Sequence, residues 1–183
     1  MNLKSVLILL LGTAMSGWAT TSLVIVPTPV TLSVGETVNL DVILSTDAQV
    51  AGFQFDLLFP TFLQVLSDPT EQGFFASDGC CFSSGSIDNV NGSISGIVDA
   101  AGSGADTGAD ILVSILFTAA VPGAGQIEFQ NVALSDPNGL PITVDFVSPA
   151  SVTATTPEPS TWAMVGLAAA ILLGWTRRRV VRW

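Results

Sequence analysis

Alternation of apolar and polar residues with a period of two constrains this chain most, and it runs through most of residues 20–155. The segment from Thr37 to Leu44 is the clearest example, because apolar side chains occupy every second position. Successive side chains of a β-strand point to opposite faces, so this spacing places the apolar set on one face. Helical periodicity is nearly absent before Thr161. The pattern therefore predicts an all-β domain.

Turn signals divide this pattern into about nine or ten short strands. Asn91-Gly92, between two apolar runs, is a strong hairpin signal because both residues tolerate positive φ. Asp136-Pro137-Asn138-Gly139 and Pro122-Gly123-Ala124-Gly125 are further turns. Short strands with this spacing predict an antiparallel jelly-roll or sandwich architecture.

The C-terminal stretch from Thr156 to Trp183 departs from the alternation and has three parts. A Pro-Glu-Pro-Ser tetrad comes first, an apolar run from Trp162 to Trp175 flanked by two threonines follows, and a basic end closes the stretch. At about 1.5 Å per residue, a helix over 161–176 is about 24 Å long, a little short of the ~30 Å hydrocarbon core. Interfacial tryptophans and snorkelling arginines can make up the difference. A buried core helix also fits the length, but apolar residues surround this helix completely, which favours a membrane span.

This stretch resembles the PEP-CTERM sorting signal. Pro157, Glu158, Pro159 and Ser160 stand in the motif positions, ahead of the apolar helix. The resemblance implies processing by an exosortase, a membrane cysteine transpeptidase that cleaves near the motif and passes the protein to the cell surface or extracellular matrix. It specifies an address and no activity. The arginines that act as the membrane stop are Arg177, Arg178, Arg179 and Arg182.

The N-terminus has the layout of a signal peptide over residues 1–19. Lys4 supplies the positive region, Val6 to Leu11 the apolar region, and Gly17-Trp18-Ala19 a small-x-small cleavage site. An uncleaved anchor would need a longer apolar run. The two ends together predict export through the inner membrane as an anchored precursor, with the basic tail in the cytoplasm. After processing, the protein would reach the cell surface or the exterior.

These boundaries divide the chain into five segments. Residues 1–19 are the signal peptide, 20–151 the β-sandwich, 152–160 a Thr/Pro linker that contains the sorting motif, 161–176 the transmembrane helix and 177–183 the cytoplasmic tail. About 130 residues are enough to bury the core of one domain.

The charge of the exported part is one-sided. All five Lys and Arg residues, and only one of the fifteen acidic residues, lie outside 20–156, which also contains no His. Fourteen carboxylates without a cationic side chain repel phosphate backbones, so nucleic-acid binding is excluded. Solubility in an exported setting explains the acidity. Binding of divalent cations by some carboxylates is the alternative.

A second resemblance covers about residues 23–155. Ser33 to Val38 leads into an alternating strand, and Val50 to Leu57 and Leu63 to Leu66 follow. Ile111 to Phe117 and Gly125 to Gly139 complete the pattern. It resembles a cohesin domain, which implies a nine-stranded jelly roll, related to family-3 carbohydrate-binding modules, that binds dockerins through one sheet face.

Two departures from the cohesin pattern matter. Phe59 stands where an aspartate commonly precedes the proline, and a cysteine-containing loop is inserted in the middle. The fold therefore carries over better than the dockerin partnership, whose contact residues the sequence does not locate.

Catalytic chemistry has little support in this composition. Without His or Lys, the domain lacks the usual general base for a Ser or Cys nucleophile, and it lacks imidazole metal ligands. A pair of carboxylates among Asp56, Asp88, Asp99 and Glu128 could hydrolyse glycosides, but no motif pairs them. We therefore expect a non-catalytic binding or adhesion protein whose ligand is a carbohydrate or another exported protein. A glycan-active surface enzyme is the alternative.

Two features of the inserted regions are candidate sites. Cys80 and Cys81 are adjacent in an exported loop, which favours a local disulfide over a free pair or an intermolecular link. Asp99, Asp106 and Asp110 lie among glycines and could hold calcium through carboxylates and carbonyls. A solvated turn explains the three aspartates better, and we expect no other cofactor.

The same cysteine loop contains three phenylalanines. Sugar recognition normally uses exposed Trp or Tyr rings, and residues 20–156 contain neither. Phe74, Phe75 and Phe82 therefore make this loop the candidate contact surface. Packing of the loop against the end of the sandwich is an equally good interpretation.

Overall fold

The protein folds as two packed β-sheets, which confirms the predicted all-β sandwich. The computed structural model describes residues 20–75, 81–101 and 106–156. Thirteen strands lie in these ranges: β1 Ser22–Val26, β2 Val30–Ser33, β3 Thr37–Val50, β4 Gly52–Leu58, β5 Leu63–Val65, β6 Thr70–Glu71, β7 Ser86–Asp88, β8 Ser93–Ala100, β9 Asp106–Ala119, β10 Gly123–Ser135, β11 Pro141–Ile142, β12 Phe146–Ser148 and β13 Ala150–Thr155.

The strand order of the two sheets is as follows. The first sheet runs β12-β1-β3-β9-β5, and β6 also pairs with β9. The second sheet runs β2-β13-β10-β4-β8-β7, and β11 also pairs with β10. All pairs are antiparallel except β1 with β12 and β2 with β13, which are parallel. The core lies between the two sheets.

Two pairs of consecutive strands pass from one sheet to the other at proline residues. β1 and β2 are separated by Pro27-Thr28-Pro29, and β12 and β13 by Pro149. Proline has no N–H for the ladder, so pairing stops there and the chain crosses between sheets. These two paths run in parallel, so β1 begins at one end of the sandwich and β13 ends at the other.

The core confirms the alternation of β4. Phe53, Phe55 and Leu57 are buried, whereas Gln54 and Asp56 between them face outward. The Phe53 ring stacks on that of Phe55 with centroids 5.6 Å apart. A second aromatic contact joins β9 to the end of β4, and there the rings pack edge to face. Rings in such geometries add about 0.5–1.5 kcal/mol beyond their burial.

Two strands are longer than their sequences predict. β3 continues past Leu44 to Val50, and β9 begins at Asp106 inside the segment that we expected to be a glycine- and aspartate-rich loop. Thr46 pairs with Gly108, and Val50 pairs with Asp106. Glycine and aspartate have low β-propensity, so it is the long-range pairing with β3 that keeps residues 106–110 extended.

The C-terminal strand corrects the predicted linker. Residues 152–155 belong to β13, which lies between β10 and β2, so the sandwich extends to Thr155 rather than to residue 151. No helix in residues 20–75, 81–101 and 106–156 is long and apolar enough to cross a membrane. The signal peptide, the sorting motif, the helix predicted at 161–176 and the basic tail lie outside the described residues.

Candidate binding face

The outer face of β7, β8, β4 and β10 is a continuous exposed surface. Its side chains are small or polar apart from Leu58 and Val98. Such a face can be approached closely by another molecule, because few long side chains stand above the sheet. We call it the β4 face. Its residues are Gln54, Asp56, Leu58, Ser86, Asp88, Ser93, Ser95, Val98, Ala100, Ala124, Gln126, Glu128, Gln130 and Ala133.

A trough of about 270 Å³ indents one end of the β4 face. Its floor is one cross-strand row, Ser135, Gly52 and Ala100, whose side chains are all small or absent. A Cβ at position 52 would lie 2.9 Å from Ser135 Oγ, so glycine keeps this floor low. The next row, Ala133, Gln54 and Val98, also lines the trough.

Asp56 fixes the shape of the β4 face at its centre. Its Oδ1 accepts a hydrogen bond from Gly96 N at 2.6 Å, and its Oδ2 accepts one from Asn131 Nδ2 at 2.5 Å. Gly96 and Asn131 both have positive φ and lie at register irregularities of β8 and β10. Such bulges bend a strand and redirect its side chains. One carboxylate on β4 thus ties together the irregularities of both neighbouring strands.

The turn between β7 and β8 fixes one border of the β4 face. Asp88 Oδ1 accepts hydrogen bonds from Val90 N at 2.9 Å and Asn91 N at 3.0 Å. The backbone N–H of Asn91, followed by its side-chain amide, lowers the pKa of Asp88. This confirms the predicted hairpin, with a loop from Asn89 to Gly92 that is longer than a two-residue turn.

Asn89 connects that turn to the first sheet. Its Oδ1 accepts a hydrogen bond from Val65 N at 2.8 Å, and its Nδ2 donates to Val65 O at 3.1 Å. The side chain therefore pairs with β5 much as a neighbouring strand would. This link holds the border of the second sheet against the first.

The four candidate catalytic carboxylates do not form a free pair. Asp56 and Asp88 have both oxygens hydrogen-bonded. Asp99 is 1% exposed and points into the sandwich. Its Oδ1 accepts a hydrogen bond from Ala100 N, and its Oδ2 has no hydrogen-bond partner within the described part of the chain. Glu128 is exposed and shares a cross-strand row with Asp88, but two strands separate them, or about 14 Å at the usual strand spacing. Paired glycosidase carboxylates are about 5–9.5 Å apart.

The predicted calcium residues are spread over both sheets. Asp99 lies in β8 of the second sheet, whereas Asp106 and Asp110 lie in β9 of the first. Asp110 is exposed, and its Oδ1 accepts a hydrogen bond from Ile111 N. Across residues 20–75, 81–101 and 106–156, no group of three acidic or cysteine side chains is placed to hold a metal ion.

The predicted aromatic contact surface is wrong for Phe74 and Phe75. These two side chains are 3% and 2% exposed, and the Phe75 ring stacks on Phe53 with centroids 5.8 Å apart. Phe82 is half-buried and packs against the same core. Phe74 and Phe75 thus pack into the core, as the alternative interpretation expects, because apolar rings gain more by burial than by exposure.

The structure describes only one of the two cysteines of the predicted disulfide. Cys81 is disulfide-bonded and has a φ of 73°. Cys80, the only other cysteine of the chain, lies outside the described residues. Two residues further on, Ser83 forms an isolated bridge with Val98. The cysteine loop therefore ends directly beside the trough.

The sequence did not reveal the role of Asp56 or the trough. An aspartate on the polar side of a strand is ordinary, and the two bulges that it joins are distant in sequence. The low floor depends on small residues from three strands that only the strand register brings together. The one sequence signal was glycine at position 52, which interrupts an otherwise good strand.

The sheet order and the crossing strands define a cohesin-like sandwich. A non-cellulosomal cohesin from the hyperthermophilic archaeon Archaeoglobus fulgidus matches with a TM-score of 0.64 at 15% identity, covering 79% of this chain and 98% of its own. A chain of a type I cohesin–dockerin complex from Clostridium thermocellum matches with a TM-score of 0.62 at 15% identity, covering 74% and 99%. A type II cohesin domain from the cellulosome of Acetivibrio cellulolyticus matches with a TM-score of 0.59 at 19% identity, covering 73% and 95%. At these identities the likeness shows the fold alone.

The end of the chain gives the second part of the identification. Residues 155–179 match the family model of the PEP-CTERM protein-sorting motif, which confirms the predicted sorting signal. The motif indicates an exported protein that is processed at the membrane and sorted to the cell surface. No curated protein matches the sequence.

Proposed function

We propose that this chain is a non-catalytic binding or adhesion protein of the cell surface or exopolysaccharide matrix. Its cohesin-like sandwich holds another exported protein on the β4 face, and an exosortase processes its C-terminal signal. The observation that carries this proposal is the preformed β4 face, with its trough, on a sandwich that is exported by a sorting signal.

The shape of the β4 face supports a protein ligand. Gln54, Gln130 and Ser95 offer hydrogen-bond donors and acceptors, while Val98 provides an apolar contact at the trough and Leu58 provides another at the opposite end of β4. Protein interfaces commonly combine apolar contacts with hydrogen-bonding polar groups. One of the similar structures is a cohesin–dockerin complex, which agrees with a protein ligand for this fold.

Carbohydrate binding has less support, because Phe74 and Phe75 are in the core. Sugar rings usually stack on exposed aromatic side chains. The β4 face presents none.

The charge of the sandwich specifies the partner's chemistry. Residues 20–156 carry fourteen carboxylates and no Lys, Arg or His. A matching surface with Lys or Arg side chains gains long-range attraction, which raises the association rate and falls with salt. We therefore expect a partner with a basic surface and an apolar side chain that enters the trough.

A matched pair of charge variants tests the β4 face. Gln54→Arg places a long cationic side chain at the trough, whereas Asn39→Arg makes the same charge change on an exposed position of β3 in the other sheet. Purified parent protein and both variants are used to capture partners from the exported fraction of the producing organism, and bound partners are quantified by mass spectrometry.

The expected result is a partner that the parent protein and Asn39→Arg retain. Gln54→Arg should reduce its capture by at least about tenfold, as for a contact residue that dominates binding. Equal losses for both variants, or no loss, would contradict the assignment of the β4 face. Turnover of a glycan substrate that one Asp or Glu substitution abolishes would instead support an enzyme.

The sorting part has its own test. Replacing Pro157 and Pro159 by alanine should leave the protein in the inner membrane, while the parent protein appears outside the cell in a shortened form. Intact mass of the external form measures this directly, because removal of the tail removes every Arg. Unchanged secretion of the double variant would refute processing at the motif.

A further inference from the structure

The last strand of the sandwich and the sorting motif share a residue. Thr155 is the final residue of β13 and also the first residue of the PEP-CTERM match. Its carbonyl oxygen accepts a hydrogen bond from Val34 N at 2.9 Å, and its Oγ1 donates to Leu32 O at 3.3 Å. The start of the motif match is therefore part of the folded sheet.

Neighbouring strands hold the residue before Thr155 on both sides. Ala154 pairs with Gly123 of β10 and with Leu32 of β2, and it is buried. Thr155 pairs with Ser33 of β2. The backbone groups just before the motif are thus already used inside the second sheet.

The distance from the sheet to the Pro-Glu-Pro-Ser tetrad is very short. Only Thr156 separates Thr155 from Pro157. An extended chain spans at most about 3.6 Å per residue, so Pro157 can be no more than about 7 Å from Thr155. An enzyme cleft that binds an extended segment pairs with that segment's own N–H and C=O groups. Residues on the N-terminal side of the motif cannot offer theirs while β13 is complete.

We infer that the fold itself controls processing: the C-terminal end of β13 must leave the sheet before the exosortase can engage the motif. This inference rests on the sorting function proposed above and deepens it. Ends of strands open locally at much lower cost than cores, so the closed state slows processing without preventing it. A well-folded sandwich would be released from the membrane at the rate at which its last strand opens.

A linker insertion tests this control in the full chain, in the producing cell. Gly-Ser-Gly-Ser placed between Thr156 and Pro157 moves the Pro-Glu-Pro-Ser tetrad away from the sheet without changing the tetrad or β13. The same four residues between Asn138 and Gly139 serve as the control, because that exposed turn follows the opposite end of β10. Pulse–chase labelling follows the conversion of precursor to the shortened form.

The insertion before Pro157 should speed conversion about tenfold, the factor that corresponds to about 1.4 kcal/mol of opening free energy, and the control insertion should leave the rate unchanged. Thr155→Gly, which weakens the strand end through its lower β-propensity, should speed conversion about fivefold.

Each outcome is decisive. If the parent precursor is converted and the insertion before Pro157 leaves the conversion rate unchanged or lowers it, the inference is overturned. The sorting proposal stays intact in that case. A parent that is never converted, and that behaves like the Pro157→Ala, Pro159→Ala variant, overturns the sorting proposal and this inference with it.

Discussion

Replacing Gly92 by alanine tests how the β7–β8 turn is built against the end of β4. Gly92 has a φ of 71°, and its carbonyl accepts a hydrogen bond from Phe59 N at 2.7 Å. A Cβ built at this position would lie 2.0 Å from Phe59 O. No side-chain rotation relieves this contact, because the opposing atom belongs to the backbone.

The expected cost has two parts. The left-handed conformation costs a residue with a Cβ about 1–2 kcal/mol. Moving Phe59 away weakens or breaks a buried backbone hydrogen bond, which costs about 1–3 kcal/mol. The sum is about 3 kcal/mol, and for a domain of about 137 residues this lowers the melting temperature by about 10 °C.

Gly139→Ala is the matched control. Gly139 has a φ of 77°, and no atom lies within 4 Å of a Cβ built there. It should cost only the conformational part, about 1 kcal/mol or about 3–4 °C. Thermal unfolding of purified residues 20–156, followed by circular dichroism, measures both variants. If the two alanine variants lower the melting temperature equally, the packing of Gly92 against Phe59 is not as described.

Three further predictions concern the carboxylates. Asp56→Ala leaves Gly96 N and Asn131 Nδ2 without their acceptor and should lower the free energy of unfolding by about 2 kcal/mol. An unchanged midpoint of urea unfolding would show that the bulges do not depend on the Asp56 carboxylate. Hydrogen bonds from the backbone N–H of Leu140 and from Asn138 lower the pKa of Asp136 in the folded protein. The ionised carboxylate therefore stabilises the fold at pH values above the unfolded pKa of about 3.8. This stabilisation is lost as the pH falls through the lower pKa of the folded state. Asp136→Asn should therefore be less stable than the parent at neutral pH and equal to it near pH 2, and a gap that persists in acid would refute the linkage. Raising salt from about 0.01 M to about 1 M shortens the screening length from ~30 Å to ~3 Å, so the melting temperature of residues 20–156 should rise; a flat or falling salt profile would contradict repulsion among the carboxylates.

Local sequence patterns predicted most of the sandwich. β1, Ser22–Val26, is a short apolar run that ends at the Pro27-Thr28-Pro29 break, so the residues themselves mark where the strand stops. The buried face of β4 follows from the period of two in the same way. Such features depend on neighbours in sequence, so a single sequence can reveal them.

Features that depend on long-range pairing could not be predicted in this way. Residues 106–110 look like a loop, yet they extend β9 because β3 pairs with them. Residues 152–155 look like a linker, yet β2 pairs with all four and β10 pairs with residues 152–154 from the other side. Phe74 and Phe75 lie in a loop by composition, yet the Phe75 ring stacks on Phe53 and the backbone N–H of Phe74 donates to Ile111 O of β9. The β4 face has the same origin, since three strands contribute to its trough.

The proposed binding face is tested most directly by site-specific photocrosslinking in the producing culture. A photoreactive residue at position 54, in the trough, should form a covalent adduct with one exported protein of basic surface, and the same residue at position 39 on the other sheet should form none. Adduct formation should weaken at high salt, because opposite charges promote the encounter. Adducts of equal yield from both positions, or from position 39 alone, would contradict the assignment of the β4 face as the partner-binding surface.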